Sequence, residues 1–341
     1  MKNGRERLTH AVPFVMAMLL ATLLPLQSVS ALFGQSREAP AAAEGAPIAQ
    51  NMEIRVYRNT PYTGEFKAVD HEGEEVTFAI EAMPKKGSVS LTEDGMGFIY
   101  TPDQNKIGAD SFTYTATDEG GNVSLPATVR LTIERTTSGV RYADMSGHRA
   151  ATAAVDLAEH GVFIGAKVGD SYFFEPERTV SRGEFVAMAV AASGTKVTPT
   201  GVTGFCDDEE IPAWCKGYAV SALSNGVICG VETENGIAFD ANNEITINEA
   251  AVILNRMLAV TDVDLAAYDE ADAQSAWCAQ AVANLRSVSI LQTGRFTNDD
   301  LCSAMTRAEA AELLSSAMTL EAGRGANKGL LGGKIGNGIV V

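Results

Sequence analysis

Three short segments of the sequence place a hydroxyl residue and a glutamate three positions apart, immediately before an apolar run. The pairs are Ser181 and Glu184, Thr246 and Glu249, and Thr306 and Glu309. Such a pair forms a capping box, in which the hydroxyl and the carboxylate bond to backbone N–H groups at the start of a helix. A single capping box is common, but three of them followed by similar apolar runs predict a helix start that recurs along the chain.

Arginine follows the hydroxyl residue in two of these segments, as Arg182 and Arg307, whereas the middle segment has Ile247. The N-terminus of a helix attracts anions because it exposes unpaired N–H groups and carries partial positive charge. A guanidinium adds two parallel hydrogen bonds to a carboxylate. We therefore expect anion sites at the two arginines, with Ser181 and Thr306 beside them, and a weakened or lost site in the middle segment. The alternative is that both arginines are solvated surface residues.

The spacing of residues around the three segments indicates an internal repeat. Gly161 and Gly226 are 65 residues apart, and Trp214 and Trp277 are 63 apart. Each unit is predicted to contain a helix, a glycine-containing loop and a second helix. The units span residues 142–195, 205–260 and 268–320.

These units resemble the S-layer homology repeat. The matching motifs are residues 142–145, 161–165, 174–176 and 181–184 in the first unit, 205–208, 213–214, 226–230 and 246–249 in the second, and 276–277 and 306–309 in the third, whose loop departs from the pattern near residues 294–296. The resemblance covers about half of the chain and implies an all-helical bundle of three repeats with pseudo-threefold symmetry. It also implies that the bundle holds proteins on secondary cell-wall polysaccharide, which is often pyruvylated.

From this resemblance we expect a pyruvate ketal carboxylate as the ligand of Arg182 and Arg307. Trp214 and Trp277 could offer their faces to sugar rings, or they could pack where a first helix enters the bundle. The first unit has Arg149 at this position, so a tryptophan platform is not general to the three units.

Residues 48–135 alternate apolar with polar side chains in short runs separated by turns, which predicts an antiparallel β-sandwich. Within this segment, residues 84–89, 98–102 and 108–118 resemble bacterial Ig-like or cadherin-like repeats. The resemblance implies a spacer or adhesion module, because such folds carry no chemistry by themselves.

Three aspartates of the sandwich, Asp70, Asp110 and Asp118, are weak candidates for calcium ligands, since calcium prefers carboxylate oxygens. The favoured alternative is that they cap turns. No other metal site is expected.

All five cysteines lie in the C-terminal half of the chain. Export permits disulfides, and an odd number leaves one thiol over. Bridges could form between Cys206 and Cys215 and between Cys278 and Cys302, although the sequence alone leaves the pairing open.

Residues 1–31 have the basic start, short apolar run and small-residue end of a cleaved secretory signal peptide. No later segment is long and apolar enough to span a bilayer, so retention at the cell surface must come from binding. The remaining segments are predicted to be linkers at 32–47 and 136–141 and a mobile, glycine-rich tail at 321–341.

The formal net charge of −17 argues against nucleic acid or anionic lipid as a general partner. The chain has no HExxH, GxSxG or phosphate-binding glycine loop, so we expect neither catalysis nor a cofactor.

Together these patterns predict an exported protein that is anchored non-covalently to secondary cell-wall polysaccharide, with the Ig-like domain as a spacer or presentation module. The alternative hypothesis is an adhesin or surface scaffold. In that case the Ig-like domain binds a protein or glycan partner, and the repeats serve only as a tether.

Overall fold

The structure is a computed structural model that describes residues 45–73, 75–265, 276–292 and 295–330. The predicted signal peptide and most of the first linker lie outside the described residues. A β-rich region comes first in the chain and is followed by a helical region.

The β-rich region is a sandwich of two sheets with an added two-stranded pair. Its strands are β1 Ile48–Ala49, β2 Met52–Tyr57, β3 Tyr62–Glu65, β4 Ala68–Val69, β5 Thr77–Ala82, β6 Gly87–Leu91, β7 Gly97–Pro102, β8 Gly108–Thr117 and β9 Ala127–Glu134. One sheet has the order β2-β9-β8-β5, the other has β3-β7-β6, and β1 pairs with β4. The two inner faces enclose an aromatic core of Phe66, Phe78, Phe98, Tyr100, Phe112 and Tyr114.

One strand pair departs from the predicted antiparallel arrangement. Strand β2 runs parallel to β9, in register from Met52 with Val129 to Tyr57 with Glu134. The prediction was wrong here because alternation shows which side chains face inward but not which strand lies alongside. Strand β2 lies at the edge of its sheet beside β9, the last strand of the sandwich, and the two point the same way.

The helical region contains six helices, two hairpins and a short 3-10 helix in the part of the chain that the structure describes. The helices are α1 Ala151–Glu159, α2 Arg182–Ala192, α3 Ala213–Ser224, α4 Ile247–Leu258, α5 Ala279–Ser287 and α6 Arg307–Leu330. The hairpins are β10 Ala166–Val168 with β11 Ser171–Phe173, and β12 Val231–Thr233 with β13 Gly236–Ala238. The 3-10 helix, Asp300–Cys302, lies in the loop of the third unit.

The two hairpins correct the expectation of an all-helical region. Each occupies the glycine-containing loop between the two helices of a unit. Gly165 and Gly230 lie at the hairpin bases with φ of 76° and 81°, and a side chain on either would collide with the opposite strand. Glycine is the residue that tolerates both conditions. The prediction recognised these glycines but did not recognise that they close a hairpin.

Helix α6 continues to Leu330, so residues 321–330 are helical rather than part of the predicted mobile tail. Arg324 fixes this extension by donating from Nη1 to the backbone O of Leu258 at 2.6 Å and to Glu321 at 2.7 Å. Gly323 and Gly325 each cost about 1 kcal/mol in a helix, but the surrounding alanine, leucine and glutamate residues favour it. Despite this length, no helix within the described ranges is apolar enough to cross a membrane.

The helices pack in a cycle, because the second helix of each unit contacts the first helix of the next. The contacting pairs are α2 with α3, α4 with α5, and α6 with α1. At the centre, Val180 N donates to Met305 O at 2.9 Å, Met305 N to Ile245 O at 2.8 Å, and Ile245 N to Val180 O at 3.0 Å. Val180, Ile245 and Met305 each come directly before the capping residue of a helix. Together they close a ring of backbone hydrogen bonds in the buried core.

Candidate functional site

All three capping boxes are formed. In each, the hydroxyl oxygen accepts from the backbone N–H of the glutamate at 3.2–3.3 Å. The glutamate carboxylate accepts from the backbone N–H of the hydroxyl residue at 2.8–3.0 Å. The pairs are Ser181–Glu184, Thr246–Glu249 and Thr306–Glu309. A cap of this kind stabilises a helix by about 1 kcal/mol.

The next backbone donors at these helix starts are already bonded within the protein. Arg182 N donates to Asn243 O at 2.8 Å, and Gly183 N donates to Ala241 O at 2.9 Å. At α6, Arg307 N donates to the carbonyl of Arg178 at 2.8 Å. The sequence suggested that an anion would lie on these N–H groups, but carbonyls of the adjacent unit occupy them. An anion bound here must be held by side chains instead.

Arg182 extends from the start of α2 to the hairpin base of the second unit. Its Nε donates to Phe239 O at 3.0 Å, and its Nη1 lies 3.8 Å from Oε1 of Glu249. Burial lowers the pKa of the Arg182 guanidinium below its ordinary value, and the nearby Glu249 carboxylate opposes this effect. The side chain is only 11% exposed, so it is not a solvated surface residue.

Arg307 makes the equivalent contact between the third unit and the first. Its Nη1 donates to Phe174 O at 2.6 Å and to the Glu175 carboxylate at 3.0 Å. The guanidinium carbon also lies 4.9 Å from the centre of the Phe163 ring, which is a cation–π distance. Burial lowers the pKa of Arg307 as well. Both arginines therefore connect one unit to the hairpin base of the next.

The middle unit has no cation at this position. Ile247 is buried there, and the neighbouring Asn248 is also buried. Asn248 donates from Nδ2 to the Cys302 sulfur at 3.4 Å, and its Oδ1 has no hydrogen-bond partner among the described residues. Ile247 therefore supplies no guanidinium of its own at this helix start, and the cation near it is Arg182 of the first unit, 3.8 Å from Glu249.

Trp214 and Trp277 are 55% and 60% exposed, so they do not serve mainly as packing residues in the bundle. Trp214 lies in the first turn of α3, and Trp277 lies two residues before α5. Arg149, at the matching position of the first unit, instead bonds to Glu312 at 2.9 Å. Two of the three units thus expose a tryptophan close to the start of their first helix.

In the described part of the chain, which contains all five cysteines, neither of the two suggested disulfides is formed. Cys215 is buried against Gly183, whereas Cys206 is exposed. Cys278 is buried at the start of α5, and Cys302 is exposed. Close spacing in sequence did not bring the members of either pair together, because each pair has one thiol in the core and the other at the surface.

The three calcium candidates use their carboxylates in hydrogen bonds. Asp110 accepts from the backbone N–H groups of Lys85 and Lys86 and from the Tyr100 hydroxyl. Asp118 accepts from Asn122, and Asp70 accepts from the backbone N–H of Glu72. Within the described ranges, no group of three or more ligating side chains has the arrangement of a metal site. These contacts match the turn-capping alternative.

The sequence provided no sign of a contact between the sandwich and the helical region. The Asp156 carboxylate, on α1, accepts from Arg55 Nη2 at 2.9 Å, Tyr57 Oη at 2.7 Å and Ser315 Oγ at 2.8 Å. Thr152 donates from Oγ1 to the Pro61 carbonyl at 2.9 Å. An open cleft of about 1110 Å³ lies beside these contacts. The sandwich is thus docked on α1, and Asp156 also holds Ser315 of α6.

Residues 44–132 match the family described as "Bacterial Ig domain". The sandwich is a bacterial Ig domain. This confirms the Ig-like part of the sequence prediction, with boundaries close to the predicted 48–135. No curated protein matches the chain.

Several solved structures show local likenesses to the chain. An endo-fucoidan hydrolase from glycoside hydrolase family 107 is 16% identical over 31% of this chain and 16% of its own, with a TM-score of 0.24. The SrpA adhesin from Streptococcus sanguinis is 19% identical over 32% and 65% of the two chains, with a TM-score of 0.23. Fibronectin(III)-like modules of Clostridium thermocellum CbhA are 17% identical over 26% and 47%, with a TM-score of 0.19. These likenesses are too low to support a conclusion on fold or function.

Proposed function

We propose that the protein is exported and held non-covalently on a secondary cell-wall polysaccharide by its three helical units, which we assign to S-layer homology repeats. The observation that carries the proposal is the cyclic packing of these units. In two of them the same helix start presents a guanidinium to the hairpin base of the next unit. Two units also expose a tryptophan close to the start of their first helix.

The boundaries between the units suit an acidic glycan. A glycan needs apolar ring faces for stacking and donors for its acidic substituents. The exposed indole rings supply the ring faces, and the mostly buried guanidinium groups of Arg182 and Arg307 supply the donors. Because the helix-start N–H groups are occupied, arginine side chains hold the acid in our proposal. Pyruvate ketals, which carry one carboxylate on a sugar ring, are the substituent that the resemblance suggests.

In our proposal the Ig domain is a presentation module at the cell surface, and the chain has no catalytic role. Bacterial Ig domains are typically extracellular, which supports export. Because Asp156 links this domain to α1 and α6, the domain is presented in a defined orientation rather than on a flexible tether.

Co-sedimentation of the mature protein with purified sacculi tests the proposal. Sacculi are used before and after removal of the secondary polymer. The informative variant is Trp214→Ala/Trp277→Ala, since both rings are exposed and their loss leaves the core intact. We expect each ring to contribute about tenfold to affinity. Val202→Ala, at an apolar side chain that is 69% exposed, is the matched control.

Binding that requires both the polymer and the tryptophans would support anchoring through the unit boundaries. Binding that survives polymer removal would refute the polysaccharide as the receptor. If no binding to sacculi occurs, while the Ig domain captures a protein or glycan, the adhesin alternative replaces the proposal.

A further inference from the structure

Two arginines reach the base of the same hairpin in the second unit. Arg182 contacts Phe239, which directly follows β13, and Arg256 donates from Nη1 to the Cys229 sulfur at 2.8 Å, just before β12. The chain segments around Cys229 and Phe239 lie against each other. A Cβ atom added at Gly230 would be 2.8 Å from the carbonyl oxygen of Ala238, the last residue of β13. The two guanidinium groups therefore lie beside the same hairpin base, and this part of the boundary between the first and second units is called the groove below. Consistent with this, repulsion from Arg256 adds to burial in lowering the pKa of Arg182.

The positive charge in this groove is only loosely compensated. Arg256 is exposed, and in the described part of the chain the hydrogen-bond partner of its guanidinium is a thiol rather than a carboxylate. The nearest carboxylate oxygen to Arg182 is that of Glu249, at 3.8 Å. Asp240 lies in the same groove, but it accepts a hydrogen bond from Asn243 Nδ2 at 2.9 Å.

The matching groove between the third and first units differs in this respect. There Glu175 occupies the place of Asp240, and its longer side chain reaches Arg307 at 3.0 Å. Arg178 adds a second cation, but Glu184 pairs with it at 3.0 Å. The first unit has Ala191 at the sequence position where the second unit has Arg256. In the groove of Arg307, each arginine lies 3.0 Å from a carboxylate oxygen. In the groove of Arg182 and Arg256, the closest carboxylate contact among the described residues is 3.8 Å, from Arg182 to Glu249.

We propose that the groove formed by Arg182, Arg256 and Cys229 is the principal anion-binding site of the protein, and that Arg256 is a binding residue of this site. It takes the carboxylate or phosphate substituent of a glycan. The nature of the glycan rests on the proposed function, whereas capture of an anion in the groove does not. In a chain with net charge −17, such a site must act locally, through side chains that contact the ligand.

Cys229 allows a direct test on the full, reduced chain, because its exposed thiol lies against Arg256. Iodoacetate is anionic and iodoacetamide is neutral, and the same thiolate attacks the methylene carbon of either reagent and displaces iodide. The ratio of their labelling rates, read by mass spectrometry, therefore reports the attraction of the groove for an anion. One unit charge at about 4 Å in water changes such a ratio about fivefold. Exposed Cys206 serves as the internal reference.

We expect the ratio at Cys229 to fall about fivefold in Arg256→Gln and to stay high in Arg256→Lys, which keeps the charge. Arg178→Gln removes an equal charge from the other groove and should leave the ratio unchanged. The proposal is overturned if Arg256→Gln leaves the ratio unchanged, or if Arg178→Gln lowers it equally. Since no sacculi are used, this result is independent of the anchoring function.

The source of the anion is distinguished by protection of Cys229 from iodoacetamide. A monosaccharide bearing a pyruvate ketal and inorganic phosphate are the two probes. Protection by the ketal sugar alone assigns a carboxylate substituent, and protection by phosphate alone assigns a phosphorylated one. If neither probe protects the thiol at millimolar concentration, the groove is not a ligand site and the proposal fails.

Discussion

Replacing Asp156 with alanine removes the carboxylate that joins the Ig domain to the helical region. This carboxylate accepts hydrogen bonds from Arg55, Tyr57 and Ser315, and its side chain is 3% exposed. The Tyr57 hydroxyl donates to this carboxylate at 2.7 Å, and burial followed by this bond raises the pKa of the hydroxyl.

The expected loss in the free energy of unfolding follows from the partners of Asp156. A hydrogen bond to a charged group contributes about 1.5–3 kcal/mol, and loss of one member of a buried pair costs about 3–5 kcal/mol. Because Arg55 is 40% exposed, water compensates part of its loss, and we expect Asp156→Ala to cost about 3 kcal/mol. Tyr57→Phe removes one bond and should cost about 1.5 kcal/mol.

Differential scanning calorimetry measures this effect. In the wild type we expect the Ig domain and the helical region to unfold together, and in Asp156→Ala we expect two separated transitions. Asp170→Ala, at an exposed carboxylate of the first hairpin turn, is the control and should change stability by less than about 0.5 kcal/mol. A single, unshifted transition in Asp156→Ala would show that the two regions are not coupled through this contact.

Three other changes test particular contacts. Ser289 has φ of 57°, where the first two units have glycine, so Ser289→Gly should stabilise the protein by about 0.5–1 kcal/mol in urea unfolding. Burial raises the pKa of Glu159, but hydrogen bonds from the linker outweigh this effect and lower the value to about 2. This stabilisation is complete above the ordinary pKa of 4.5 and is lost as the pH falls toward 2, so Glu159→Gln should lose about 1 kcal/mol at pH 7 and little at pH 2. Finally, burial raises the pKa of Cys215 to about 12, so alkylation of the native protein should modify Cys206 and spare Cys215.

Each of these outcomes has a clear contrary result. Gly226→Ser, at the position equivalent to Ser289, should be destabilising, and a neutral effect would remove the argument from backbone strain. A stability difference for Glu159→Gln that does not vary with pH would show that the carboxylate charge is unimportant. Rapid labelling of Cys215, or a mass two hydrogens lower than that of the reduced chain, would contradict the free, buried thiol.

The sequence was sufficient where the cause of a feature is local. The capping boxes depend on residues three positions apart, and they form at all three predicted helix starts. The core of the Ig domain follows from alternation along single strands, and apolar residues of the alternating runs such as Val56, Phe98 and Ile133 are buried. Ile54 and Ile80 are only partly buried. Alternation shows which face of the sheet a side chain lies on, but it does not show how deeply that side chain is buried.

The candidate site could be predicted only in part. The spacing of the repeats identified Arg182 and Arg307, but the carbonyls of Phe239 and Phe174 that they contact lie 57 and 133 residues away in the chain. Arg256 carried no sequence signal, since a lone arginine near a helix end is ordinary. Whether the helix-start N–H groups were free for a ligand also could not be known before the neighbouring unit was in place.

By itself, the sequence determined the order of the two regions, the three helix starts and the repeat that relates them, because each follows from residues close together in the chain. Only the tertiary structure decided the parallel pairing of β2 with β9, the ring that joins the three units, and the docking of Arg55 on Asp156 across 101 residues. Such contacts have no local cause. They form because buried polar groups must find partners, and the fold alone determines which partners lie within reach.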